Sequence, residues 1–357
     1  MSSTRREFLT TTASVAAGAA ALSMAGRLGW AQQAAQAEAR AIAEIPELKT
    51  PESTREGDML YRTLGKTGEK VSLLGLGGFH FANPRDPADS TKLLRRAVDS
   101  GVTFMDNCWD YHNGDSEIRM GNALKDGYRK KVFLMTKIDG QTKAAAEKQI
   151  NESLKRLQTD VIDLMQLHEI VRIGDPDRHF AKGGSIEALI AAKQAGKIRY
   201  VGFTGHKDPA MHLKMLDMAA KNNFTFDSVQ MPLNPMDAHF KSFAKNVVPR
   251  LVKEGVGVLG MKPLAGGAII RTNTVTAIDC LHYAMNLPTS VVITGIDSER
   301  ILDQALQAVK TFQPFSEKDL AALLAKTKGL GEGGAQEVFK TTTMYDGTAY
   351  NPQWLGV

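Results

Sequence analysis

From Leu60 onward the chain repeats one pattern eight times: a short apolar or β-branched run, often followed by a segment of helical composition. The runs are residues 71–78, 103–107, 132–137, 161–168, 200–206, 228–234, 255–264 and 290–296, and helical patterns cover 91–100, 144–157, 186–195 and 300–309. Fully apolar strands interleaved with helices are the mark of a parallel sheet buried on both faces. Eight such units predict an α/β fold, a closed (β/α)8 TIM barrel in a single domain over residues 60–312. An open doubly wound sheet is the alternative, but no G-x-G-x-x-G opens the first helix. The glycine-rich stretch Gly75-Leu76-Gly77-Gly78 runs directly into Phe79 and lacks that spacing.

Composition agrees with a globular chain: 357 residues, 43% hydrophobic, net charge +5. No basic stripe interleaved with aromatics suggests a nucleic-acid partner. Residues 32–59, rich in Ala, Gln and Glu with Pro46 and Pro51, read as a solvated linker, and 313–357 as an extended C-terminal tail. The two cysteines, Cys108 and Cys280, fall inside barrel elements far apart in sequence and are expected as buried thiols. Two are too few for an iron–sulfur cluster, which needs about four. H-E-x-x-H and C-x-x-C spacings are absent, so no metal is expected.

Reactive groups of a TIM barrel belong at the C-terminal ends of its strands. Here Asp106 ends the second run, Lys137 the third, His168 the fourth and His206 the fifth, with Tyr111 in the loop after Asp106. Taken singly, such an Asp is usually a cap, a Lys a solvated end, and a His a core residue. Their succession at strand ends favours a shared site. A buried carboxylate beside a lysine keeps the ammonium charged, and that charge is expected to lower the pKa of the phenol, tuning it for proton transfer. A neutral His168 would donate a hydrogen bond to a carbonyl oxygen.

Three segments carry a resemblance. Gly101-Val-Thr-Phe-Met-Asp106 with Tyr111, Ser116-Glu117 and Gly121-Asn-Ala-Leu124 comes first. Val132-Phe-Leu-Met-Thr-Lys137 is the second, and Leu154-Lys-Arg-Leu157 followed by Asp160-Val-Ile-Asp163-Leu164-Met-Gln-Leu-His168 the third. In order and spacing they resemble the aldo-keto reductase family over residues 60–310. The resemblance implies a catalytic tetrad of Asp106, Tyr111, Lys137 and His168, and hydride transfer between a nicotinamide cofactor, NADP or NAD, and a small carbonyl or alcohol substrate such as an aldehyde, ketone or sugar.

It also implies cofactor contacts. Gly77, Gly78 and Asp106 come from the first two strands, and Thr204, Gly205 and Gln230 from the fifth and sixth. The seventh supplies Met261, Lys262, Pro263 and Leu264, and the eighth Gly295, Ile296, Asp297 and Ser298, with Gln304 near the adenine. The chain departs from the family pattern at Gly205, where an asparagine is usual, at Met261, where an aromatic ring often stacks, and at Lys262, where serine is common. Asp297 suits ribose hydroxyls, and Arg300 can offset it beside a 2′-phosphate. Trp109, His112 and His206 are candidate substrate contacts, although Asn113-Gly114 also reads as a plain turn. In the family the tail often helps close the substrate pocket.

The N-terminus resembles a twin-arginine export leader: Thr4-Arg5-Arg6-Glu7-Phe8-Leu9, then an alanine-rich stretch from Ala13 to Ala25. Its apolar run is too short to persist as a membrane span, and cleavage is expected after Ala31, with Ala25 a second site. The resemblance implies transient engagement of the Tat translocase, a periplasmic or otherwise exported location, and no stable span after cleavage. An uncleaved anchor, or a leader-like start on a cytoplasmic reductase, is the competing reading. A nucleotide-binding sensory or auxiliary module with little turnover is the alternative to an enzyme.

Overall fold

The computed structural model describes residues 48–357, together with Gln33 and Gln36. The predicted leader and the first part of the predicted linker lie outside the described residues. Residues 54–59, expected as linker, instead open a three-stranded antiparallel sheet: β1 (Thr54–Glu56), β2 (Met59–Thr63) and β3 (Lys70–Ser72).

Eight parallel strands follow and close on themselves: β4 (Leu74–Gly77), β5 (Phe104–Asp106), β6 (Phe133–Ile138), β7 (Ile162–Leu167), β8 (Ile198–Thr204), β9 (Ser228–Pro232), β10 (Gly257–Met261) and β11 (Val291–Gly295). They pair in sequence order around the ring, with β11 joined to β4. The run 71–78, expected as one strand, is split at Leu73 between β3 and β4. That break lets one segment floor the barrel and the next form its wall.

Burial explains the composition of the strands. Every residue of β6 and β7 is buried, because helices cover the outside and side chains fill the inside. Phe104, Phe133, Met135, Leu164, Leu259, Val291 and Ile293 pack inside the barrel with Val71 from β3 and Leu64 from the turn between β2 and β3. The N-terminal end is thus plugged, and chemistry is left to the other rim. Asp163, part of the third motif, serves the plugged half: its carboxylate accepts from the Leu134 amide and pairs with Arg129 and Arg199.

The surrounding helices start where the sequence supplies caps. Asp86 caps Pro87–Asp99, Thr142 caps Lys143–Leu157, and Thr276 with Asp279 forms a capping box on Ala277–Asn286. Such caps are each worth about 1 kcal/mol. Cys108 and Cys280 are buried and unpaired. No helix among the described residues is long and apolar enough to cross a membrane.

The tail, expected as an extended segment, contains a helix, Glu317–Gly331, and continues as short turns that run across the C-terminal rim.

Candidate active site

In-register pairing sets the site. Gly77 lies opposite Asp106 across β4 and β5, Lys137 opposite Gln166 across β6 and β7, and Thr204 opposite Gln230 across β8 and β9. The last residues of adjacent strands therefore share one rim. Lys137 is almost wholly buried, and its ammonium pairs with Asp106 Oδ1 and donates to the Asn107 carbonyl at 2.7 Å. Its third reach, 3.4 Å, is to the Tyr111 hydroxyl. Gln230 Nε2 donates to the other Asp106 oxygen at 2.9 Å.

Tyr111 opens a tight turn, Tyr111–Gly114, in which His112 and Asn113 take left-handed backbone angles and Gly114 has φ 91°. The Asn-Gly turn read from the sequence is present, and at Gly114 a Cβ would also strike the Arg156 guanidinium at 2.4 Å. Phe79 meets the Tyr111 ring edge-on at 5.4 Å between centroids. The Ser116 and Glu117 pair of the first motif holds this corner in place: Ser116 donates to the Gly78 carbonyl, and buried Glu117 accepts from Thr136 beside Lys137.

Two electrostatic expectations change in the folded chain. Burial pushes the Tyr111 phenol well above its usual value, and the Asp106 carboxylate adds to the rise. Burial and the surrounding carboxylates outweigh Lys137, 3.4 Å from the hydroxyl. His168 is not the neutral donor expected. Burial lowers its pKa, but Asp110, Asp139 and Glu169 outweigh that and hold the imidazole at about 9. Its Nδ1 is 2.9 Å from Asp139 Oδ1, which leaves Nε2 for the cavity.

A cavity of about 710 Å³ sits above these groups. Asp106, Tyr111, Lys137 and His168 all line it, so the structure brings the four predicted catalytic residues together. Gly77, Gly78, Thr204, Met261, Lys262, Pro263, Leu264, Gly295, Asp297 and Gln304 line it as well, with Arg300. At Gly78 a Cβ would stand 2.5 Å from the Asp106 carbonyl, so only glycine permits that approach. Gln230 lies behind Asp106, off the cavity surface.

Gly205, Ile296 and Ser298 do not line the cavity. Gly205 packs on the Ile170 carbonyl, where a Cβ would come within 2.4 Å, Ile296 is buried, and Ser298 begins the helix Glu299–Thr311. Of the candidate substrate contacts, His112 and His206 face the cavity. Trp109 turns away, donating to Glu152 at 2.7 Å and meeting Trp354 edge-on.

The tail closes part of the pocket, as the resemblance implied. Met344, Tyr345, Gly347 and Tyr350 complete the cavity wall. Buried Glu169 accepts from the Gly347 and Thr348 amides at 2.7 and 2.9 Å, and Asp346 bridges His206 and Lys207 at 3.0 and 2.9 Å. Glu169 adjoins His168 in sequence, but its partners lie 178 and 179 positions away, so no local pattern reveals them.

Lys262 differs from the other cations of the site. Its backbone is left-handed, its ammonium sits 4.7 Å over the Tyr345 ring, and it forms no ion pair among the described residues. Burial lowers its pKa to about 8.

Comparison with known proteins gives the family. Residues 73–280 match the aldo/keto reductase family. Aldo-keto reductase AMT2 of Alternaria alternata is 30% identical over 253 residues, 59% of this chain and 66% of that protein. L-galactose dehydrogenase of Arabidopsis thaliana is 31% identical over 228 residues, 58% and 66% of the two chains. These matches span about two thirds of each relative. A solved aldo-keto reductase from Bacillus halodurans, in its holo form, superposes with TM-score 0.63 over 78% of this chain and 99% of that one, at 23% identity, and supports the fold. With more than half of its length matched to the family, and with an eight-stranded barrel carrying the site at its C-terminal rim, the chain belongs to the aldo/keto reductase family of NAD(P)-dependent oxidoreductases.

Proposed function

We propose that this protein is an exported oxidoreductase that uses a tightly held NADP or NAD to interconvert a carbonyl and an alcohol on a small polar substrate. The observation that carries the reading is the convergence of Asp106, Tyr111, Lys137 and His168 on one cavity. The cavity walls also fit a dinucleotide. The helix Glu299–Thr311 has no side-chain cap, so its first amides are available to an anion beside Arg300 and Gln304.

When bound, the nicotinamide supplies the hydride or accepts it. Tyr111 Oη gives its proton to the substrate oxygen in reduction and takes one back in oxidation. Burial keeps the Tyr111 phenol protonated before the reaction, and Lys137, 3.4 Å away, is placed to offset the cost of negative charge as it forms on Oη. Asp106 and the Asn107 carbonyl fix the ammonium, and His168 Nε2 orients the substrate oxygen. His112, His206 and Glu169 give the wall a polar character that suits a hydroxylated substrate, and the similarity to L-galactose dehydrogenase favours a sugar.

Export rests on the Arg5-Arg6 leader, which fits a protein folded around its cofactor before translocation. Nucleotide released by denaturing protein from the periplasmic fraction should be stoichiometric NAD or NADP, identified by mass spectrometry, with an Arg5→Lys/Arg6→Lys variant retained inside the cell. Empty protein with no affinity for either nucleotide would overturn the enzymatic reading, and an unchanged distribution of the double variant would overturn export.

Lys262 gives this reading a pH dependence. An amine with pKa about 8 is charged at pH 7 and loses its proton as pH climbs, so nucleotide affinity should fall as pH passes through 8. Lys262→Met is expected to weaken binding at pH 7 by about 10-fold or more, the value of a hydrogen bond to a charged group, and to flatten the profile measured by fluorescence titration. A parallel drop at every pH would show that Lys262 acts through packing alone.

A further inference from the structure

Behind the imidazole of His168 lies a cluster for which proton transfer at Tyr111 has no use. Cys108 and Asp110 stand in the loop after β5, Asp139 just past β6, and His168 just past β7. One ligand atom from each, a sulfur, a nitrogen and two oxygens, all fall within 4.8 Å of one another. His168 Nδ1 is 3.3 Å from Cys108 Sγ, 2.9 Å from Asp139 Oδ1 and 3.7 Å from Asp110 Oδ1. A tetrahedral site with bonds of 2.0–2.3 Å has edges of about 3.3–3.7 Å. Two of the three distances fall in that range, the 2.9 Å contact is a hydrogen bond that an ion would replace, and with every separation inside 4.8 Å small side-chain shifts bring all four atoms onto one ion.

The partners of the carboxylates give a second, independent indication. Asp139 is fully buried, aims Oδ1 at His168 and leaves Oδ2 without a hydrogen bond; Asp110 Oδ1, also buried, has none either. Buried carboxylate oxygens without partners are costly, and native chains rarely keep two in one place unless something neutralises them. Among the described residues His168 is the one cationic group that faces these carboxylates; Lys137 is engaged with Asp106 and the Asn107 carbonyl, and Arg156 with Glu117 and the Trp109 carbonyl.

We infer that Cys108, Asp110, Asp139 and His168 form a binding site for a single divalent transition-metal ion of the zinc type. The donor set selects the class, since sulfur and imidazole suit zinc or cobalt, whereas magnesium and calcium require oxygen throughout. Binding breaks the Cys108 S–H bond and removes the proton from His168 Nδ1. Both protons go to solvent, bonds from sulfur and nitrogen to the metal replace them, and no oxidation state changes. An ion on Nδ1 fixes the imidazole as the tautomer protonated at Nε2, with that N–H turned to the cavity. The site is assembled from three strand ends, so no local His or Cys spacing announces it.

The test is a cobalt(II) titration of the full-length chain after treatment with a chelator, followed by absorption. One equivalent per chain is expected, with the near-ultraviolet band of a thiolate bound to cobalt. Cys108→Ser should abolish that band and Cys280→Ser should preserve it. Asp139→Asn should lower the affinity by about 10–100-fold or more, the loss that even groups outside the ligand set can cause. A wild-type chain that shows no thiolate band at millimolar cobalt overturns the site without recourse to any variant. A band that survives in folded Cys108→Ser, checked by circular dichroism, overturns it equally. Since the readout needs neither nucleotide nor substrate, it stands apart from the test of the oxidoreductase reading.

Discussion

Tyr111→Phe is expected to lower kcat for carbonyl reduction by about 10²–10⁴-fold, the contribution of a positioned proton donor, while nucleotide stays bound. The hydroxyl is the one atom removed. Its ring keeps the edge-on contact with Phe79 and its place 4.9 Å from the Lys137 ammonium, so the fold and the cavity are preserved. What is lost is the proton and the route by which Lys137 acts on the substrate oxygen. Steady-state kinetics at saturating NADPH or NADH, beside a nucleotide titration, measure both quantities. Retention of wild-type kcat would mean that another group gives the proton. An absence of carbonyl reductase activity in the wild type, with nucleotide bound, would instead favour the sensory or auxiliary module.

Lys340→Met should produce the largest loss of stability. Lys340, Asp237 and Glu337 are a fully buried triad in which the ammonium is 2.7 Å from each carboxylate and donates to the Phe240 carbonyl at 2.8 Å. Burial lowers the lysine pKa, but the two carboxylates overcome this and hold it charged. Removing the ammonium leaves two carboxylates buried without their cation, which costs about 3–5 kcal/mol and lowers Tm by roughly 6–15 °C for a domain of this size. Burial already raises Glu337 to about 7, above its unfolded value of 4.5. The unfolded chain therefore gives up that proton first as pH rises, and stability declines between the two values. The deficit of the variant should accordingly shrink as pH falls below about 7, when Glu337 takes up a proton. Differential scanning fluorimetry at pH 5.5 and 8 checks both the size and the sign. A Tm within 2 °C of wild type at pH 8 would contradict a load on this triad. Because Lys340 anchors the segment that carries Tyr345 and Tyr350 to the cavity, KM should rise at temperatures where the variant is still folded.

The strand ends were legible because they obey local rules. Asp106, Lys137 and His168 each follow an apolar run, and a parallel barrel turns the end of every such run toward one rim. Tyr111 was legible through its fixed distance from Asp106 in a short turn. Gly78 and Ser116 could be quoted from a motif, yet their purpose, the close approach to Asp106 and the hydrogen bond that holds it, depends on two loops meeting. Gly205 shows the reverse case. Its place after β8 suggested a cofactor contact, whereas the residue is a glycine because the Ile170 carbonyl fills the space a side chain would need.

Electrostatics was the least legible. A lysine near a tyrosine suggests a lowered phenol, and a histidine at a strand end suggests a neutral donor. The structure reverses both, because burial and the Asp106 carboxylate raise the phenol and three carboxylates surround His168. Which charges meet depends on residues from different strands, and Coulomb energies respond to distances of a few ångströms that sequence order does not encode.

By itself, the sequence determined the alternation of strand and helix, hence the barrel and the rim on which chemistry must sit. Those follow from local periodicity and from burial of apolar runs. Only the tertiary structure decided how the rim is charged and closed: that Glu169 and Asp346 tie the tail over the cavity, that Lys262 forms no ion pair there among the described residues, and that Tyr111 is held neutral. Each depends on groups brought together from far along the chain, where the energy comes from the contact and not from the pattern.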